Sequence, residues 1–171
     1  CNAEVNEVLA ILRGEKENCL SRLSLFHAAK ILQAAEGLSE TEANARASEA
    51  VFSGRALKKF EEMVAAQGGR GADVNGTLPM AKNMKKITAK AEGFLQVSAL
   101  ALGKACAALG GGRTKEGDAI DHTAGILLQK RQGSFVKRGE VLAEIYFNAS
   151  SEEGCALAES AFTLSDQKIE A

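Results

Sequence analysis

Residues 68–79 read Gly-Gly-Arg-Gly-Ala-Asp-Val-Asn-Gly-Thr-Leu-Pro. Glycines recur through the stretch and the chain's only proline closes it, so neither a helix nor a strand period survives and the segment reads as a linker. Different patterns lie on its two sides. Residues 1–67 hold three glycines, at 14, 37 and 54, whereas the rest of the 171-residue chain holds fourteen.

The first part reads as helices. Val5, Val8, Leu9 and Leu12 fall at i, i+3, i+4 and i+7 and predict a helix over 3–13 that ends at Gly14. Asn18 is placed to cap a second helix, 19–36, stopped by Gly37; Leu25, Ala28, Leu32 and Ala35 line one face, and Leu20, Leu23 and Phe26 broaden it. Ser39 with Glu42 forms a capping box for a third helix, 40–53, which Gly54 ends. A fourth covers 55–67, with Leu57, Phe60 and Val64 inward and Lys58 and Glu62 paired outward at i,i+4.

Beyond the linker the period changes. Residues 86–97 carry short β-compatible runs around Gly93, and Ser98 can cap a helix over 99–109 that the Gly110-Gly111-Gly112 run breaks. Residues 119–130 and 141–147 read as strands; in the second, Val141, Ala143, Ile145 and Phe147 alternate with Leu142, Glu144 and Tyr146. Gly133 and Gly139 mark turns between them, and a last helix over 151–162 starts after Ser150. The fold class is α+β: a helical segment, then a small unit with antiparallel strands.

Composition excludes several classes. One proline against thirty alanines rules out a proline-rich module, and a net charge of -1 with a pI of 6.2 argues against a nucleic-acid partner. No apolar run approaches the roughly 18 residues of a membrane span, so no membrane partner is expected. Cys1, Cys19, Cys106 and Cys155 are scattered without a CxxC pair, which fits reduced thiols in a cytoplasmic protein. Cys1 in place of an initiator methionine gives the expectation of a piece of a longer chain.

Candidate chemistry is sparse. Leu109-Gly110-Gly111-Gly112-Arg113 has the glycines of an anion loop, but they follow a helix, whereas anion loops precede one. A helix stop is the first reading and a ligand contact the second. His122 follows Asp121, yet neighbours on a strand face opposite ways, so the aspartate does not orient the imidazole. His27 reads as a packed or surface residue in mid-helix. Met84-Lys85 lacks the second methionine of a biotin acceptor and lies among Lys82, Lys86 and Lys90. Glu7 lies opposite the first helix's apolar stripe, and Ile11 shares that far side, as if the face packed on something else. No nucleophile–base pair or phosphate loop emerges.

The order of short motifs nevertheless resembles the C-terminal region of the pyrimidine-nucleoside phosphorylases. The residues that carry the likeness are Ala99-Leu100-Ala101-Leu102-Gly103, Leu109-Gly110-Gly111-Gly112-Arg113, Asp118-Ala119-Ile120-Asp121, Gly125-Ile126 and the Lys137-Arg138-Gly139-Glu140 hairpin. Asn2-Ala3-Glu4-Val5-Asn6-Glu7, Leu12-Arg13-Gly14-Glu15, Ser53-Gly54-Arg55-Ala56-Leu57, Leu78-Pro79 and Leu164-Ser165-Asp166 fit in order as well.

The resemblance implies that residues 1–67 are the helical end of a glycosyltransferase-type α/β domain, 68–79 a linker and 80–171 a C-terminal α/β-hammerhead domain. It implies a parent pentosyltransferase that splits a pyrimidine nucleoside with phosphate, works as a homodimer and keeps its substrate-binding and catalytic residues upstream. No catalytic or substrate residue is therefore assigned to this chain. One metal ligand is: Glu7 aligns with a glutamate that binds a structural potassium ion, with partner carbonyls upstream. The hairpin pattern also occurs in lipoyl and biotinyl carriers, which leaves a non-catalytic carrier-like or interaction module as the alternative.

Overall fold

A computed structural model describes residues 1–69, 74, 76–113, 115–149 and 151–168. The chain divides into two compact units, one of residues 4–78 and one of residues 1–3 with 79–171.

The helical unit contains α1 (Asn2–Leu12, whose first two residues count with the other unit), α2 (Cys19–Glu36), α3 (Glu40–Phe52) and α4 (Arg55–Ala66). Each boundary has a local cause. Asn18 Oδ1 accepts the Ser21 amide and Ser21 Oγ accepts the Asn18 amide, a reciprocal cap at the start of α2. Ser39 and Glu42 make the same exchange before α3. Gly37 and Gly54, at φ +69° and +76°, take the left-handed conformation that ends one helix and admits the next.

Small residues make the α2–α3 seam. Ala29, Ala43 and Ala47 are its buried members, with Leu25, Ala28, Leu32 and Leu38 packed around them. Backbones that meet over alanine leave little depth for larger groups. Leu20, Leu23 and Phe26, expected to broaden the inward face, are instead 41%, 55% and 51% exposed, and Ala35 is exposed too. On α4 the ion pair joins Lys59 to Glu62 rather than Lys58 to Glu62. The i,i+3 partner reaches the carboxylate, and Lys58 adds only a weaker field that also lowers the Glu62 pKa.

The segment of linker composition is tied down at its end. Val74 is buried, the Arg13 guanidinium donates to the carbonyls of Val74 (2.7 Å) and Gly76 (3.0 Å), and Asn6 pairs with both backbone groups of Leu78. Residues 70–73 and 75 of that segment lie outside the described residues.

The second unit is α+β. Its strands are β1 (Asn83–Thr88), β2 (Gly93–Val97), β3 (Gly125–Leu128), β4 (Phe135–Val136), β5 (Val141–Phe147) and β6 (Phe162–Ser165), with α5 (Ala99–Cys106) and α6 (Glu152–Ser160) between them. They form two antiparallel three-stranded sheets, ordered β1-β5-β3 and β4-β2-β6. One core unites them: Leu95, Val136, Leu142 and Ile145 from the strands, with Ala105, Leu109 and Ala158 from the helices. Full burial of each large side chain contributes about 1.5–3 kcal/mol.

β5 matches its expected bounds, although Leu142 is buried with Ala143 and Ile145 because the strand lies in the middle of its sheet. β3 covers only the end of the expected 119–130 strand, since Asp121 turns the chain first. The expected helix at 151–162 ends at Ser160, and β6 follows, pairing with β2 from Phe162. Its N-cap is Ser151, whose Oγ accepts the Gly154 amide; Ser150, the expected start, lies outside the described residues.

Candidate functional site

The glycine run comes first. After α5 the helix widens over residues 107–111, and Gly110 at φ +92° ends it. The Gly110 carbonyl accepts the Asp121 amide at 2.8 Å, which fixes the chain's return. Gly111 is needed for space: a Cβ there would stand 2.8 Å from Cys106 Sγ and 3.3 Å from the Ala124 carbonyl. α6 closes over the same point, with Ser151 Oγ donating to the Ala108 carbonyl at 3.1 Å. The run is a helix stop packed against its own unit. Arg113 beyond it is exposed.

Asp121 then organises a polar knot. Its carboxylate accepts from the Thr123 amide (2.9 Å) and hydroxyl (2.5 Å) and from Asn148 Nδ2 (2.8 Å). Asn148 Nδ2 also reaches Thr123 Oγ1 at 2.9 Å. The Thr123 hydroxyl, foremost, holds the Asp121 carboxyl below its ordinary pKa, and Asn148 adds to this. With its lone pairs engaged, Asp121 serves neither as a general base nor as a partner of His122. The His122 imidazole is exposed, and its backbone carbonyl accepts the Asn2 amide at 2.8 Å. His27 is exposed beside Phe26.

Glu7, the one expected metal ligand, lies in the middle of α1. Its Oε1 accepts from Lys16 Nζ at 3.0 Å and from Asn18 Nδ2 at 2.6 Å. The carboxylate therefore has an internal counter-ion and links α1 to the cap of α2. No group of three or more His, Cys, Asp or Glu able to hold a metal occurs among the described residues. The described donors do not make a cation cage by themselves. Ile11 does not stand on a separate apolar face: with Val8 and Leu12 it lines one groove in the helical unit.

In the second unit Lys85 meets Glu159 at 2.7 Å. Each shifts the other, the ammonium upward and the carboxyl downward, chiefly through their hydrogen bond. Lys85, the residue once comparable with a biotin acceptor, is thus an ion-paired β1 residue. In the Lys137-to-Glu140 turn, Gly139 at φ +86° donates to the Ala89 carbonyl at 2.8 Å, while Glu140 pairs with Lys130 at 3.2 Å. The roles of Thr123 and Asn148 are not legible in the local sequence, since Asn148 lies 27 positions from Asp121.

Comparisons with known proteins place the chain beside one group of enzymes. Residues 95–165 match the family described as pyrimidine nucleoside phosphorylase C-terminal domain. The chain is 36% identical over 149 residues to a pyrimidine-nucleoside phosphorylase of Geobacillus stearothermophilus, covering 85% of this chain and 34% of that protein. It is 34% identical over 159 residues to a thymidine phosphorylase of Mycobacterium tuberculosis H37Rv, covering 92% of this chain and 35% of that protein. A thymidine phosphorylase of Sinorhizobium fredii is 37% identical over 149 residues, with 84% and 34% covered. The chain spans about one third of the length of these relatives. No helix among the described residues is long and apolar enough to cross a membrane.

Proposed function

We propose, from the premise that this chain belongs to the pyrimidine-nucleoside phosphorylase family through its C-terminal domain at residues 95–165, that it is the C-terminal portion of an enzyme acting on pyrimidine nucleosides. In the parent reaction the C1′–N1 glycosidic bond breaks and a phosphate oxygen bonds to C1′. The products are the free base, which takes up a proton, and a (deoxy)ribose 1-phosphate. The protein's part is to hold phosphate in line with an oxocarbenium-like sugar carbon and to stabilise the departing base.

The observation that carries this reading is the ordered match over 84–92% of the chain to phosphorylases about three times its length. The polar groups of the chain support a division of labour. Asp121, Lys85, Glu159 and Glu140 are each engaged within their own unit. The chain by itself contributes scaffold, and the groups that touch substrate come from the remainder of the parent. The parent works in the cytoplasm as a homodimer, with nucleoside and phosphate as its partners. A potassium ion at Glu7 belongs to the same reading and takes its further donors from outside this chain.

Assay of the purified 171-residue chain with thymidine or uridine and phosphate tests the division of labour. No base release is expected, and turnover above background contradicts the assignment of the chemistry elsewhere. The full-length gene product is expected to release base only when phosphate is present.

A further inference from the structure

The two sheets of the second unit do not close on each other along one side. β1 ends one sheet and β6 ends the other, so among the described residues each pairs on one edge only. Both strands wall a cleft of about 450 Å³. Its floor is the core itself: Ile87 and Leu142, 6% and 3% exposed, line it, and the half-buried Phe162 and Leu164 form the β6 wall. End strands leave backbone N–H and C=O groups without ladder partners, so an apolar floor lies between polar margins.

We propose that this cleft binds a small organic anion with an apolar body, an aryl or alkyl carboxylate. Its volume falls within the roughly 300–1,000 Å³ of small-molecule sites, and the floor takes the apolar body. The rim sets the sign of the charge. Lys86 and Lys90 stand there, both exposed. Lys86 is 4.0 Å from Glu144, the outer limit of an ion pair, and Lys90 enters no ion pair among the described residues. Glu159, the carboxylate in the lining, is already held by Lys85 at 2.7 Å. An anion therefore meets two ammonium groups with charge to spare, whereas a cation would have to displace Lys85. The hydrogen bond from Lys85 chiefly lowers the Glu159 pKa, and the Lys90 charge adds to it, so Lys90 acts across the cleft. This inference rests on the second unit alone and is independent of the phosphorylase reading.

Amide NMR spectra of the full chain, titrated with phenylbutyrate, test the site. Saturable shifts are expected at residues 86–91 and 162–164, on the two walls of the cleft. Phenylbutanol, the same body without the charge, should bind at least about threefold more weakly, the size of an exposed charge contact. Inorganic phosphate, a charge without the body, should not saturate these residues over the same concentrations. Lys90→Gln should remove most of the preference for acid over alcohol and Lys86→Gln part of it, while Lys104→Gln, exposed on α5, should leave it intact. The spectra report the fold of each variant, and the acid–alcohol comparison on the wild type needs no variant. Shifts confined to the helical unit, no saturation at the cleft, an alcohol or phosphate that binds as well as the acid, or a preference that survives Lys90→Gln would overturn the proposal.

Discussion

At Asp121 one carboxylate joins two parts of the chain that lie far apart in sequence. It accepts two hydrogen bonds from Thr123 and one from Asn148, and so ties the turn after the glycine run to the end of β5. Asp121→Asn keeps the shape but loses the charge that strengthens these bonds, and should cost about 1–2 kcal/mol in urea unfolding at neutral pH. The pH dependence has a definite sign. The folded carboxyl titrates below its unfolded value, so the native state binds fewer protons there. Its contribution is complete above about pH 4, the unfolded range, and is lost as the pH falls through the folded value. The gap between wild type and Asp121→Asn should therefore close on acidification; a constant gap would assign the effect to shape instead. Lys16 offers a second residue-level test. With Lys16→Met in the full-length gene product, which supplies the further donors, the Glu7 carboxylate loses its counter-ion, and thermal unfolding should become more sensitive to potassium against choline than in the wild type. Equal sensitivity would argue against any cation role for Glu7.

Elements that depend on near neighbours were legible in the sequence, and those that depend on distant ones were not. The N-cap at Asn18 and the capping box at Ser39 are written within four residues and appear as expected, and the structure adds the return bond from Ser21 at the first. Ala substitution at either should cost about 1 kcal/mol, measurable as a lowered urea midpoint with unchanged slope. β5 was legible through its alternation, but β4, with two residues, and β6, which exists by pairing with β2, carry too little period to announce themselves. The inward face of α2 is not legible for a related reason. Apolar spacing marks Leu20, Leu23 and Phe26 as candidates for burial, but whether a helix buries them depends on what packs there, and the alanines of α3 reach only the narrow seam. In the candidate site, the glycine run is legible as a helix stop, whereas the Asp121 knot depends on Asn148, 27 positions away. Two kinds of glycine separate in that run. Gly110→Ala should cost about 1–2 kcal/mol through backbone strain alone, because a Cβ there has nothing nearer than Asp121 Cβ at 3.7 Å. Gly111→Ala drives its Cβ onto Cys106 Sγ, so a Cys106→Ala background should relieve part of its cost and none of that of Gly110→Ala.

Across the whole chain, the shift from few glycines to many coincides with a shift from helices to sheets, and several polar side chains, Glu7, Asp121 and Lys85 among them, are engaged within their own unit. On the proposed reading, such a portion shapes and supports an enzyme whose reacting groups lie elsewhere. Relatives three times as long are named for pyrimidine nucleosides and thymidine, and the proposed function rests on that likeness. The central claim is therefore a claim about the parent reaction. Its most direct test is product analysis of the full-length gene product given thymidine or uridine, with and without inorganic phosphate. The account predicts free base together with pentose 1-phosphate, formed only when phosphate is present. Failure to release base from either nucleoside, or release of free pentose independent of phosphate, would contradict it.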